Sequence, residues 1–148
     1  MERNNVIIGD LFNTDCDWIV NTVNCVGVMG KGIALEFKKR YPKMFEAYKE
    51  ICRQRLLFPG KLWVWEKEDK GILCFPTKAH WKYPSRLDWI EKGLIKFLDN
   101  YERLGIKSIA FPLLGCTNGG LDESDILPMM HNYLRQAKNL RYEIWKLK

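Results

Sequence analysis

Short apolar runs closed by glycine, proline or asparagine alternate along this chain with longer stretches in which apolar positions recur every three or four residues. Val6-Ile7-Ile8 predicts a first strand, stopped by Gly9-Asp10. Trp18-Ile19-Val20 predicts a second, apolar at every position, as expected of a strand buried on both faces. A helix is predicted over 32–40, and Pro42 separates it from another with Met44, Phe45, Tyr48, Ile51 and Cys52 on one face. After a turn at Pro59-Gly60, Leu62-Trp63-Val64-Trp65 and Ile72-Leu73-Cys74-Phe75 read as strands joined by the polar connection 67–71.

Ser85 is expected to cap a long helix, with Asp88 placed for a capping-box variant. Its stripe is Leu87, Ile90, Leu94, Phe97, Leu98, Tyr101 and Leu104, and Gly105 ends it. Lys107-Ser108-Ile109-Ala110-Phe111 is a further buried strand. The last helix is expected to begin within 122–125, with Asp125 favoured as its cap because Pro128 is tolerable only in a first turn. Tyr142-Glu143-Ile144-Trp145-Lys146-Leu147 closes the chain as a strand. Interleaved strands and helices predict α/β layers, with helices on both faces of a mixed, mostly parallel sheet.

Ligands of such sheets bind at the carboxyl ends of strands, where two glycine-rich loops fall, after Val20 and after Phe111. The first runs Val20-Asn21-Thr22-Val23-Asn24-Cys25-Val26-Gly27-Val28-Met29-Gly30-Lys31-Gly32-Ile33-Ala34-Leu35. Glycines at this density let backbone approach a ligand, and the helix start that follows favours an anion such as a pyrophosphate. The plain alternative is a strand-to-helix turn with nothing bound. Two familiar phosphate loops are excluded. Gly30-Lys31 is followed by Gly32 rather than Ser or Thr, and Gly27, Gly30 and Gly32 read G-x-x-G-x-G instead of G-x-G-x-x-G. The second loop, Pro112-Leu113-Leu114-Gly115-Cys116-Thr117-Asn118-Gly119-Gly120, would grip an extended anionic centre from the other side. A third segment, Phe75-Pro76-Thr77-Lys78-Ala79-His80-Trp81, also leaves a strand end and supplies an amine, a hydroxyl, an imidazole and an aromatic plane.

Composition narrows the field. At 148 residues the chain predicts one domain, and 47% hydrophobic residues with six tryptophans exclude disorder. No apolar run approaches the ~20 residues of a membrane span, and none follows Met1-Glu2-Arg3-Asn4-Asn5 that is long enough for a signal peptide, so the cytosol is expected. Five scattered cysteines without a C-x-x-C pair predict reduced thiols, and His80 and His131 are too isolated to complete a metal site. No metal and no cofactor is expected. The net charge of +6 points to acidic ligands, nucleic acid among them, although Lys38, Lys39, Lys43, Lys49, Lys92 and Lys96 fall on helix faces that solvent would cover.

Nearly the whole chain resembles the macrodomain family, in the branch of the DarG antitoxin macrodomain and the terminal ADP-ribose protein glycohydrolase. The landmarks are Gly9-Asp10-Leu11, Val20-Asn21-Thr22-Val23-Asn24, the 27–32 loop, Phe75-Pro76-Thr77-Lys78, Pro112-Leu113-Leu114-Gly115-Cys116 and Gly119-Gly120-Leu121-Asp122, in this order. The resemblance implies a three-layer α/β/α sandwich whose cleft binds ADP-ribose as ligand and product. It implies that Asp10, beside Leu11, receives the adenine amino group and that Asn24 holds the distal ribose. Gly27, Val28, Met29, Gly30, Lys31 and Gly32, with Gly115, Cys116, Thr117, Asn118, Gly119 and Gly120, would enclose distal ribose and pyrophosphate. Thr77 belongs to the same site. Trp145 would stack on adenine or serve as a core tryptophan.

Lys78 matches the catalytic lysine of this branch, whose amine attacks the anomeric carbon of the distal ribose. Burial and cationic neighbours such as His80 or Lys82 would supply the lowered pKa that this needs. The plain alternative is a surface lysine touching phosphate. One departure stands out: Gly119 occupies the place where the protein glycohydrolase carries an aspartate. Proton transfer then falls to Asp122, His80 or water, and the glycine tilts the expected substrate toward ADP-ribosylated single-stranded DNA rather than modified protein. His80 and Trp81 are the substrate-side candidates, with Trp81 equally readable as core. An ADP-ribosyltransferase toxin is the implied partner, no membrane is involved, and a monomer is expected. The alternatives are release from a Glu or Asp side chain of a protein, an ADP-ribose reader without turnover, a Cys–His hydrolase built from Cys25 or Cys116 with His80, and a structural or partner-binding role in which Thr117 and Asn118 only serve a turn.

Overall fold

The computed structural model describes residues 6–66 and 69–147. The N-terminal 1–5 stretch and positions 67–68 of the polar connection lie outside the described residues. Six strands, β1 (Val6–Ile8), β2 (Trp18–Val23), β3 (Trp63–Trp65), β4 (Gly71–Pro76), β5 (Ser108–Pro112) and β6 (Arg141–Lys146), form one sheet in the order β1-β6-β5-β2-β4-β3. Every neighbouring pair is parallel except β3 with β4, so the sheet is mixed and mostly parallel as expected. The helices are α1 (Gly32–Arg40), α2 (Pro42–Arg53), α3 (Leu87–Asn100) and α4 (Glu123–Leu134). No helix among the described residues is long and apolar enough to cross a membrane.

The layers follow from side-chain alternation along the strands. Trp18 and Val20 of β2 join Ile90, Leu94 and Phe97 of α3 and Ile126 and Met130 of α4 in one core. Ile19 and Val23 turn the other way, to Phe37 of α1 and Met44, Tyr48 and Cys52 of α2. Two cores on opposite faces of one sheet make the α/β/α sandwich. Burying each such Leu, Ile or Phe contributes about 1.5–3 kcal/mol, which fixes which face each helix covers.

Four local expectations change. The second strand continues past Val20 to Val23, because Asn21 and Thr22 are carried inside the ladder rather than starting a loop. Ser85 does not cap α3. The cap position is Arg86, which instead pairs with Asp88 at 3.0 Å, while the Ser85 N–H donates to the Gly119 carbonyl at 2.9 Å. The α3 helix ends at Asn100, with only turns between Tyr101 and Gly105. Asp122, not Asp125, caps α4 by accepting from the Ser124 N–H. Pro128 is therefore in the second turn. It is tolerated there because Pro128 and Ser124 both lie on the exposed side, where water can reach the carbonyl that loses its donor.

Gly93 sets how closely α3 approaches β4. A Cβ at this position would lie 2.2 Å from Phe75 Cζ and 2.6 Å from its Cε1, in a ring that is fully buried. Gly93→Ala gains about 1 kcal/mol of helix propensity but forces that ring or the helix to move. The expected result is a net loss of about 1–2 kcal/mol in urea unfolding at unchanged slope. A raised midpoint would show that α3 does not depend on this contact.

Candidate ligand-binding cleft

β2, β4, β5 and β6 end together on a cleft of ≈ 690 Å³, within the size range of small-molecule and cofactor sites. The register explains what emerges there. Val23 stands opposite Pro76, the Thr77 N–H donates to the Val23 carbonyl at 2.9 Å, and the Cys25 N–H donates to the Ala79 carbonyl at 3.3 Å. Asn24 and the Thr77-Lys78 pair therefore leave the sheet side by side.

The first loop is anchored from below. Tyr48 of α2 is fully buried and its hydroxyl lies 2.9 Å from both the carbonyl and Oδ1 of Asn24. The same Oδ1 accepts from the Val26 and Val28 N–H groups at 3.1 and 3.4 Å, and Asn24 Nδ2 donates to the Val28 carbonyl at 2.8 Å. One Nδ2 hydrogen remains for a ligand. Asn21 is wholly buried with Nδ2 3.8 Å from the sulfur of Met29, itself a core residue. Val28, Gly30, Lys31 and Gly32 are left on the cleft wall.

The second loop closes the opposite side. A Cβ on Gly32 would come within 3.0 Å of Asn118 Nδ2, so the two loops meet across the cleft. Gly119 is buried. A Cβ there would lie 2.2 Å from Ser85 Oγ and 2.4 Å from the Gly115 carbonyl oxygen, and the latter already accepts from the Leu121 N–H at 2.9 Å. No side chain fits at 119 without rebuilding the loop.

Lys78 stands in the cleft wall, half-buried, with Nζ donating to the Trp81 carbonyl at 2.9 Å. Its pKa is lowered from the ordinary lysine value, first by desolvation and then by the positive charge of Lys31. The cationic neighbour is thus Lys31 on the first loop, not the sequence-adjacent His80 or Lys82. Asp122 lines the cleft as well, and hydrogen bonds from Ser124 lower its pKa, so it is ionised at neutral pH. Glu123 pairs with Lys146 at 3.0 Å.

The cleft wall contains Asn24, Val28, Gly30, Lys31, Gly32, Thr77, Lys78, Trp81, Gly115, Cys116, Thr117, Asn118, Gly119 and Trp145. Trp145 is half-buried and both packs on the α1/α2 core and lines the cleft, which joins its two expected placements. Six other expected residues are not on this wall. Gly27 lies over Lys49 and Cys52, Met29 and Leu11 are core, and Gly120 is exposed. Asp10 is exposed, accepting from the Phe12 N–H at 3.0 Å to open the short turn Leu11–Asn13. His80 sits outside, with Nδ1 accepting from the Lys82 N–H at 3.1 Å. The wall also carries Thr22, Val23, Ile33, Ala34, Pro112, Leu113, Leu121, Glu123, Lys146 and Leu147, which sequence reasoning did not name as site residues. The hidden signal was position: each adjoins a motif or a strand end.

The thiols offer no nucleophile. Burial pushes Cys25 up to about 12 and Cys116 up to about 11, and the Cys25 thiol donates to the Lys78 carbonyl at 3.4 Å. Neither bonds His80 among the described residues, which argues against the Cys–His hydrolase. Asp15, Cys16 and Glu143 bring possible metal donors within 4.8 Å of one another, but Arg141 pairs with both carboxylates and Thr14 donates to Glu143.

The Macro domain profile matches residues 20–130, and the chain belongs to the macrodomain family. It is 50% identical over 122 residues to the DNA ADP-ribosyl glycohydrolase of Mycobacterium tuberculosis, covering 80% of this chain and 35% of that protein. The solved macrodomain of Mycobacterium tuberculosis DarG superposes with a TM-score of 0.90 at 44% identity, over 94% of this chain and 97% of that one. Thermosipho africanus DarTG in complex with ADP-ribose gives 0.89 at 35% identity, over 97% and 42% respectively. The curated protein of that organism is a DNA ADP-ribosyl transferase-DNA ADP-ribosyl glycohydrolase fusion protein, 35% identical over 152 residues. The chain spans 35% of the Mycobacterium protein and 39% of the fusion protein.

Tyr48→Phe removes the only donor reaching Asn24 from α2 while leaving the ring in place. The expected loss is about 1–2 kcal/mol, with faster amide exchange at Val26 and Val28. Unchanged exchange at those amides would mean that Asn24 holds the loop without Tyr48.

Proposed function

We propose that this macrodomain removes mono-ADP-ribose from the thymine base of a thymidine in single-stranded DNA, with Lys78 as the nucleophile. The observation that carries the proposal is the state of Lys78: an amine in the wall of the cleft, with its ammonium form disfavoured by desolvation and by Lys31. A protein that only reads ADP-ribose has no use for a free amine there. The names of the relatives at 50% and 35% identity support DNA as the carrier of the modification. The fused transferase of the second supports a DNA-directed ADP-ribosyltransferase as the source of the substrate.

In this scheme the pyrophosphate lies between the two glycine loops and the start of α1, where backbone N–H groups and the helix dipole meet it. The second Nδ2 hydrogen of Asn24 reaches the distal ribose. The neutral Lys78 amine attacks the anomeric carbon of that ribose, and the bond to the base nitrogen breaks with its electron pair leaving on the base. The proton shed by the amine goes to that nitrogen. The ribose ring then opens to a Schiff base, and water hydrolyses it to ADP-ribose and free Lys78. Gly119 contributes no acid or base. Asp122 lines the wall and is ionised, so it can take a proton from that water, although hydrogen bonds from Ser124 keep it a weak base; His80 lies outside the wall.

Lys78→Ala should reduce release from an ADP-ribosylated oligonucleotide by at least roughly 100-fold, while calorimetry finds ADP-ribose affinity within about threefold of the parent. Undiminished release would eliminate the lysine mechanism. Equal or greater release from a glutamate-modified protein, assayed alongside, would overturn DNA as the substrate. The pH dependence has a definite sign. Because the free amine reacts, release rises with pH toward the lowered pKa of Lys78 and then levels off. Lys31→Met removes the second cause of that lowering, so its rising limb should move to higher pH, and Lys31→Arg should restore it. A pH–rate profile that ignores both substitutions would show that Lys31 does not tune the amine.

A further inference from the structure

Beside the cleft, the 80–83 turn holds a cluster of rings with no role in the chemistry above. Trp81 is 52% exposed and Tyr83 58% exposed, on one turn closed by the Tyr83 N–H donating to the His80 carbonyl at 3.2 Å. His80 stands between them, its ring centroid 5.2 Å from that of Trp81 and 5.6 Å from that of Tyr83. Two large aromatic side chains left in water on four consecutive residues are unusual for a solvated loop, and the backbone that carries them is anchored. His80 Nδ1 accepts from the Lys82 N–H, the Cys25 N–H bonds the carbonyl of Ala79 just before the turn, and the Ser85 N–H just beyond it bonds the Gly119 carbonyl. A platform fixed in advance loses little freedom when something seats on it.

Position and charge say what that is. Trp81 lines the cleft and its carbonyl holds the Lys78 amine, so the turn begins where a group attached to the distal ribose must leave the cleft. Lys82 Nζ lies 6.0 Å from the Tyr83 ring centroid. A cation set between exposed aromatic rings matches the phosphates and bases of a single strand. Duplex does not fit, since its bases already cover one another's faces.

We infer that the 80–83 turn is a stacking platform for a base flanking the modified nucleotide of a single strand, with Tyr83 as its outer face and Lys82 on the adjoining phosphate. The inference rests on DNA being the substrate and adds to it where the strand runs and which side chains hold it. Tyr83 is a positioning residue, touching neither the ADP-ribose cleft nor the amine.

The test uses two substrates, an ADP-ribosylated thymidine nucleoside and a single strand of about ten nucleotides carrying the same modification. Tyr83→Ala should raise KM for the strand roughly tenfold with kcat unchanged, and should leave both constants unchanged for the nucleoside. Tyr83→Phe, which keeps the face and loses the hydroxyl, should behave as the parent. Fluorescence anisotropy with an unmodified single strand reads the platform without turnover, and Tyr83→Ala should weaken that binding by a similar factor. Equal slowing on strand and nucleoside, or strand binding that ignores Tyr83→Ala, overturns the platform while leaving the proposed activity intact. A matching loss for Tyr83→Ala on a modified peptide makes the surface a protein-binding one and overturns it too. Failure of the parent protein to release ADP-ribose from either DNA substrate overturns the activity, and the platform with it.

Discussion

Backbone pairing between β2 and β4 runs without a break from Trp18 opposite Gly71 to Val23 opposite Pro76, and the Thr77 N–H extends it by one more bond to the Val23 carbonyl. Buried N–H and C=O groups must find partners, so this ladder cannot slip without orphaning several of them. Because the pair is parallel, both strands end at the same level. The loop that starts at Asn24 and the segment that carries Lys78 are neighbours for that reason alone. Lys31 reaches the amine from the far end of the same loop. The electrostatics of the cleft are thus a consequence of strand register, with Gly93 and Tyr48 pressing α3 and α2 onto the two faces that hold the register in place.

The parts legible in the sequence were those set by local pattern. Apolar triplets located β1 and the buried start of β2, and spacing of three and four residues found the buried face of α2, Met44, Phe45, Tyr48 and Cys52 among it. The glycine loops stood at strand ends, where Gly27, Gly32, Gly115 and Gly120 take positive φ that other residues rarely adopt. Mistakes arose where a residue's best partner lies far away in sequence. Ser85 has the chemistry of a cap, yet its backbone is spent on Gly119, and Asn21 looks like a loop residue although its backbone belongs to the ladder.

The cleft shows the same division. Lys78 and Asn24 were readable because motif and strand end coincide there. The cation acting on Lys78 was not, since 31 and 78 come together only through the sheet order β5-β2-β4. Sequence proximity pointed to His80 and Lys82, which belong to a turn facing outward. Nor does the helical face of α2 tell that the Tyr48 hydroxyl is bonded to Asn24 rather than to water. Periodicity reports burial and is silent about which polar atom a buried side chain meets.

Gly119 lies against Ser85 and the Gly115 carbonyl with no room for even a methyl group. In terms of descent, this closes the one-step route between this loop and one bearing a carboxylate at the same place. A single base change in the gene could encode the acid but would not yield a loop that accommodates it. Ser85, Gly115 and the α3 entrance would have to change together. A chain that gains a carboxylate there must shift Gly115 and Ser85 as well, and this loop is left to draw its acid–base groups from positions its packing already admits.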